Sequence, residues 1–200
     1  MAALSQDAVL GGFADPVFDA QTVFRRIMDA MARPGTIADL SGYATGPAPL
    51  SPATAAILAT LADADAPVFI EGERADEAAA WIAFQTGAAV LDDPEDAAFA
   101  VLGHGSDPAL WRRLPLGDEA YPDRSATLIL SVDALEGGPP LVLTGPGIET
   151  SRTVAPLGLP EGFVTARAAN AALFPRGQDL VLVAGSAMMA LPRTTRIEEA

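Results

Sequence analysis

Over the first part of the chain, apolar residues recur at three- and four-residue steps. Ala20, Val23, Phe24, Ile27, Met28 and Met31 keep that spacing and predict an amphipathic helix after Asp15-Pro16. Asp19 is the expected N-cap, and Arg33-Pro34-Gly35 is a firm stop. Residues 36–40 read as a short strand and 41–49 as a Gly/Pro loop. Ser51-Pro52 sets a capping hydroxyl before a proline at the first helical position, which predicts a second helix to about residue 63. An apolar strand at 67–70 and a helix over 76–86, ended by Gly87, follow. Residues 88–91 and 99–102 read as buried strands separated by an acidic turn, and 108–113 as a short helix.

The second half changes character. Strands at 126–132 and 141–144 are joined by Leu135-Glu136-Gly137-Gly138-Pro139-Pro140, a loop short enough for antiparallel pairing. A helix is expected over 162–173, closed by Phe174-Pro175-Arg176-Gly177. The strand at 180–183 turns at Gly185-Ser186 into another at 188–191, and the polar, acidic last residues are expected to fray. Helices alternate with strands early and hairpins come late. The expected fold is α/β, a mixed sheet covered by helices on both faces in three layers, as a single domain over 1–200.

Composition narrows the chemistry more than the fold. A chain of 200 residues buries roughly 70% of its unfolded surface and folds without disulfide or metal. No apolar run approaches the ~20 residues of a membrane helix, and Met1 to Gly12 lacks the basic region and cleavage site of a signal peptide. The absence of cysteine fits a reducing, cytoplasmic setting. A net charge of −14 repels nucleic acid and anionic membranes, so neither is expected as a partner. All the positive charge is arginine, a mark of GC-rich codon usage. Without lysine there is no Schiff base with pyridoxal phosphate and no P-loop lysine. Without cysteine there is no thiolate nucleophile, and one histidine cannot form a multi-histidine metal site.

The remaining candidates are few. His104, in Gly103-His104-Gly105-Ser106 past a strand, is a remote general-base candidate or a solvated surface residue. Thr144-Gly145-Pro146-Gly147 follows a strand and is either an anion-facing loop or a tight turn. The acids from Asp92 to Asp96 fit no calcium loop and read as a turn with an acidic helix start. Arg25 and Arg26 flank the first apolar stripe, and Arg193-Thr194 lies in Pro192-Arg193-Thr194-Thr195-Arg196. These four residues are the anion-binding candidates, because the guanidinium fork suits phosphate or carboxylate. The competing reading is a salt bridge to the chain's own carboxylates.

An ordered set of stretches resembles one family. Asp19-Ala20-Gln21, Phe24-Arg25-Arg26 and Ala30-Met31-Ala32-Arg33-Pro34-Gly35 open it. Leu58 to Val68, Ala126-Thr127-Leu128-Ile129-Leu130 and Leu143-Thr144-Gly145-Pro146-Gly147-Ile148 follow. Phe174-Pro175-Arg176-Gly177-Gln178-Asp179-Leu180 and Leu191-Pro192-Arg193-Thr194-Thr195 complete it. No single stretch is specific, but the order and spacing resemble PhnH, a subunit family of the bacterial carbon–phosphorus lyase complex. The resemblance implies a fold related to pyridoxal-phosphate-dependent transferases, without the cofactor. It implies a homodimer that also joins PhnG, PhnI and PhnJ, and acts with PhnL. The reaction it implies is displacement of adenine from ATP by a phosphonate, giving ribose 1-methylphosphonate 5-triphosphate. PhnI would carry the glycosyl transfer, and PhnJ, an iron–sulfur radical enzyme, would later cleave the carbon–phosphorus bond. No catalytic residue carries over to this chain, and the missing lysine agrees with a scaffold that has lost its Schiff base. The expected role is therefore a contributing subunit, or a purely structural one, and not an enzyme acting alone.

Overall fold

Proline fixes where the first helix begins. In the computed structural model, which describes residues 9–72 and 76–200, helix α1 spans Pro16–Ala32. Asp15 Oδ1 accepts the Phe18 N–H at 3.2 Å, and Asp19 Oδ2 accepts the Asp15 N–H at 2.9 Å. The N-cap is thus Asp15 and not Asp19. Pro16 takes the first helical position, where its missing N–H is harmless, and Asp19 closes a reciprocal capping box. Val23, Ile27 and Ala30 are buried, whereas Phe24 and Met28 are 46% and 52% exposed. The apolar stripe read from the sequence therefore covers two faces of the helix, and only one enters the core.

Helix α2 covers Pro52–Leu61, capped by Ser51 Oγ, which accepts the Thr54 N–H at 3.1 Å. Helix α3 covers Asp76–Thr86, and its Trp81 Nε1 donates to Leu10 O at 2.8 Å. Helices α4, Pro108–Trp111, and α5, Phe163–Ala171, complete the five described α-helices.

Seven strands form the main sheet: β1 (Ile37–Asp39), β2 (Val68–Ile70), β3 (Val90–Leu91), β4 (Phe99–Leu102), β5 (Thr127–Ser131), β8 (Asp179–Ala184) and β9 (Ala187–Leu191). Their order is β1-β9-β8-β5-β4-β2-β3. The contacts β5·β8, β4·β5, β2·β4 and β2·β3 are parallel, and β9 pairs antiparallel with both β8 and β1. The Gly185-Ser186 turn between β8 and β9 is the predicted hairpin. Alternation along the strands separates two buried groups. Ile129, Val181, Val183 and Met188 pack with Val23, Ile27, Ile57 and Trp81. Leu128, Leu130, Leu180 and Leu182 pack with Trp111, Phe163, Leu143 and Ile197. Full burial of each such leucine or isoleucine contributes about 1.5–3 kcal/mol.

A second sheet of three strands, ordered β10-β6-β7, joins β6 (Leu141–Thr144), β7 (Arg152–Val154) and β10 (Arg196–Glu199), all antiparallel. Two expectations are corrected here. The strands flanking residues 135–140 do not pair with each other. β5 is buried on both faces and takes a parallel neighbour on each side, whereas β6 alternates buried and half-buried residues and suits a one-sided sheet. The last residues do not fray, because Ile197 is buried and Arg196 to Glu199 pair with Thr144 to Leu141. Strand β7, absent from the sequence reading, is three residues with one buried side chain. Among the described residues, no helix is long and apolar enough to cross a membrane.

Candidate functional site

Parallel strands deliver their carboxyl ends to one edge of the sheet, and the candidate His104 lies there. His104 follows β4 and Asp133 follows β5. His104 Nδ1 is 3.2 Å from Asp133 Oδ1, and both side chains are about three-fifths exposed, at 59% and 60%. Beside them Glu71 Oε2 accepts the Gly103 N–H at 3.0 Å. Further along the edge, Asp39 Oδ2 accepts the Ser41 hydroxyl at 2.6 Å, and Asp39 Oδ1 accepts the Ser41 N–H at 2.9 Å and the Ser186 hydroxyl at 3.2 Å. The Ser41 hydroxyl and then its N–H hold the Asp39 carboxyl below the usual aspartate range, with smaller help from Ser186 and Arg26. Arg26 donates to the Asp39 carbonyl and lies over the Tyr43 ring, 5.1 Å from its centroid. Arg25 is exposed and has no polar partner among the described residues.

Arg193 is directed inward. Its Nη2 donates to Asp179 Oδ2 at 2.6 Å and to Ser125 Oγ at 2.7 Å. Its Nε donates to Asp179 Oδ1 at 3.2 Å, and its Nη1 to the Pro122 carbonyl at 2.7 Å. The backbone N–H of Arg193 also reaches Asp179 Oδ1, at 2.8 Å. With the fork engaged by a carboxylate, a hydroxyl and a carbonyl, Arg193 has the geometry of an internal strut.

The next residue, Thr194, faces outward into a cavity of about 530 Å³, with Thr144, Gly145, Pro146, Phe174 and Arg196 among its walls. Arg196 is exposed and has no polar partner among the described residues, and Phe174 is 65% exposed. The cavity thus offers a free guanidinium, two threonine side chains and an aromatic face. Its Gly-Pro-Gly wall is tightly built. Gly145 has φ +130 and would place a Cβ 2.9 Å from Thr194 O, and Gly147, at φ +81, would place one 2.2 Å from Ala32 O. Behind the wall, Thr195 Oγ1 is buried without a partner among the described residues.

The candidates therefore divide. Thr194 enters a cavity, Arg193 supports it from behind, Arg26 lines a different hollow of about 340 Å³ beside Asp29 and Asp39, and His104 lies against Asp133. Arg196 was overlooked because the terminus was read as frayed. Its signal was the alternation of Arg196 with apolar Ile197. The acids at 92–96 form a capped turn in which Asp93 Oδ1 accepts the Glu95 N–H and Asp93 Oδ2 pairs with Arg113 at 2.9 Å. Among the described residues, no group of three or more His, Cys, Asp or Glu is placed to hold a metal ion.

Known proteins align with nearly the whole of this chain. The sequence model of a family described as bacterial phosphonate metabolism protein (PhnH) matches residues 11–198. The alpha-D-ribose 1-methylphosphonate 5-triphosphate synthase subunit PhnH of Rhizobium meliloti (strain 1021) is 50% identical over 189 residues, 94% of each chain. HtxG of Stutzerimonas stutzeri, a C-P lyase subunit protein by its description, is 33% identical over 187 residues, 88% of this chain and 85% of its own. Glycine-built walls, a partly buried Arg193–Asp179 strut and the ordered stretches that carry them all lie inside the matched span. This chain belongs to the PhnH family of bacterial phosphonate metabolism proteins.

Proposed function

We propose that this chain is a subunit of a ribose 1-methylphosphonate 5-triphosphate synthase, assisting transfer of a phosphonate onto the ribose of ATP. In that reaction a phosphonate oxygen forms a bond to the anomeric carbon, the bond from that carbon to adenine breaks, and adenine leaves. The observation that carries the reading is 50% identity along 94% of the chain to a subunit of that synthase. The cavity at Thr194 and Arg196 supports a direct contribution. A free guanidinium flanked by hydroxyls suits a phosphonate or triphosphate oxygen, and Phe174 offers an apolar surface beside it. Of the four anion-binding candidates, Thr194 is retained as a ligand and Arg193 as the residue that positions it. Arg25 and Arg26 are kept as contacts to a partner's acidic groups.

The chain works within an assembly, as a homodimer and with PhnG, PhnI, PhnJ and PhnL. Phe18, Phe24 and Met28 stand exposed on α1 beside Arg25, an apolar face with a charged border that fits a subunit contact. The seven-stranded sheet with one antiparallel strand supports kinship with the pyridoxal-phosphate-dependent transferases. Lacking lysine, the chain cannot tether that cofactor as a Schiff base, so it is read as cofactor-free, and its lack of cysteine suits action in the cytoplasm. Reconstitution tests the proposal. The purified chain with ATP and methylphosphonate releases no adenine, and the assembled complex does. Thr194→Val with Arg196→Ala lowers turnover of the assembled complex about tenfold or more while assembly is kept. Adenine release by the chain alone would sink the subunit reading.

A second reading, a purely structural assembly subunit, is favoured by the inward fork of Arg193 and the apolar face of α1. It predicts unchanged turnover for the same double variant.

A further inference from the structure

A cleft of about 230 Å³ lies between α4 and α5, on the side of the sheet that carries Trp111 and Phe163. Trp111, Leu116, Ala169 and Leu173 give it apolar walls, and its two charged residues are Arg112 and Arg167. Among the described residues no carboxylate lines it, although the chain has 26 acidic residues and 12 basic ones. Trp111 is held rigidly, with Nε1 donating to Ser106 Oγ at 3.0 Å and its ring edge-on to Phe163, centroids 6.2 Å apart.

Arg167 is the unusual member. It is 2% exposed, yet no carboxylate among the described residues pairs with it. Its Nη1 donates to the Gln178 carbonyl at 3.0 Å and its Nη2 to the Leu191 and Pro192 carbonyls at 3.1 and 3.3 Å. Its Nε has no acceptor among the described residues. The acid that influences it, Asp179, is already bound by Arg193. Desolvation pushes Arg167 down to about 10, Asp179 opposes that and Arg193 adds to it, so the group is cationic at neutral pH. A buried cation is ordinarily paired, and an N–H without an acceptor is ordinarily satisfied. Arg112, exposed on the cleft's lining, is also without a polar partner among the described residues.

We infer that this cleft binds a small organic anion, its apolar body against Trp111, Leu116 and Leu173 and its head group held by Arg112, with the buried Arg167 charge in the wall behind it. Apolar cavities of ~150 Å³ admit benzene, so 230 Å³ holds one ring with its head group. The site shares no lining residue with the Thr194 cavity and does not depend on the function proposed for it.

Phenylphosphonate, titrated into the purified full chain by calorimetry, is the probe, with benzyl alcohol as the neutral control. Binding at one site is expected, with a Kd below about 1 mM that weakens as salt rises. Arg112→Ala weakens it about threefold to tenfold. Ala169→Trp, an exposed position whose side chain fills the cleft, abolishes it. Thr194→Val with Arg196→Ala leaves it unchanged. Circular dichroism verifies that each variant is folded. The inference is overturned by benzyl alcohol binding as tightly, by Ala169→Trp binding normally, or by loss of binding only in the Thr194/Arg196 variant. No saturation by about 10 mM phenylphosphonate also overturns it, and leaves the cleft to a partner's acidic side chain.

Discussion

Asp179 Oδ2 lies 2.6 Å from Arg193 Nη2, tying the first residue of β8 to the turn that leaves β9. Both side chains are more than four-fifths buried, at 16% and 18% exposed, and the guanidinium also holds Ser125 and the Pro122 carbonyl. Arg193→Ala therefore strands a carboxylate and several acceptors, and is expected to destabilise the chain by about 3 kcal/mol. Arg193→Lys recovers only part of this, since an ammonium cannot span both carboxylate oxygens and the serine. Urea denaturation at neutral pH measures both. An Arg193→Ala variant as stable as the parent contradicts the strut.

Asp39 sets a pH dependence. Its folded-state carboxyl is held below the usual range by the Ser41 hydroxyl, the Ser41 N–H and, less strongly, Ser186 and Arg26. A depressed carboxyl contributes stability that is complete above the unfolded value of about 3.9 and is lost as pH falls through the folded value. Asp39→Asn removes this contribution at neutral pH and flattens the acid limb. Stability compared from about pH 6 to pH 2 should show the two proteins converging as the pH falls. Parallel curves contradict it.

Two glycines with the same backbone angle should respond differently. Gly147 and Gly42 both have φ +81, but a Cβ at Gly147 meets Ala32 O at 2.2 Å and one at Gly42 meets nothing within 4 Å. Gly42→Ala should cost about 1 kcal/mol, the backbone term alone. Gly147→Ala should cost roughly 2 kcal/mol or more, because the loop must separate from the end of α1. Thermal melts of the pair give the difference directly, and equal shifts rule out the close approach.

Ile197 tests the last strand. It is 4% exposed and packs with Leu143, Leu141 and Phe163 in the second buried group. Ile197→Ala should lower stability by roughly 2–4 kcal/mol, whereas a frayed terminus predicts no change.

His104→Ala should change stability by no more than about 0.5 kcal/mol, since an exposed pair with Asp133 contributes little. A large loss would show that His104 has contacts beyond Asp133.

Much of the local structure was legible because it is encoded over short distances. Pro16 and Ser51-Pro52 marked helix starts, Gly185-Ser186 marked a hairpin, and the runs at 99–102 and 126–132 marked strands. Asp19 was misread as the cap because its role is to answer Asp15, a reciprocal contact that one residue type cannot reveal. The two strands beside residues 135–140 were misread because loop length permits a hairpin but does not require one. Burial of β5 on both faces decided for parallel neighbours far away in sequence.

The site follows the same division. The sequence by itself determined the chemical limits: no lysine, no cysteine, one histidine, and a charge of −14 relieved only by arginines. It also carried the ordered stretches that mark the family. Tertiary structure alone decided which arginines face inward and which are free. Arg193 meets a carboxylate fourteen residues away and Arg167 meets three carbonyls, while Arg196 and Arg112 meet no polar partner among the described residues. The physical reason is that a guanidinium's role is set by the acceptors around its five N–H groups, and those acceptors come from elements that only folding brings together.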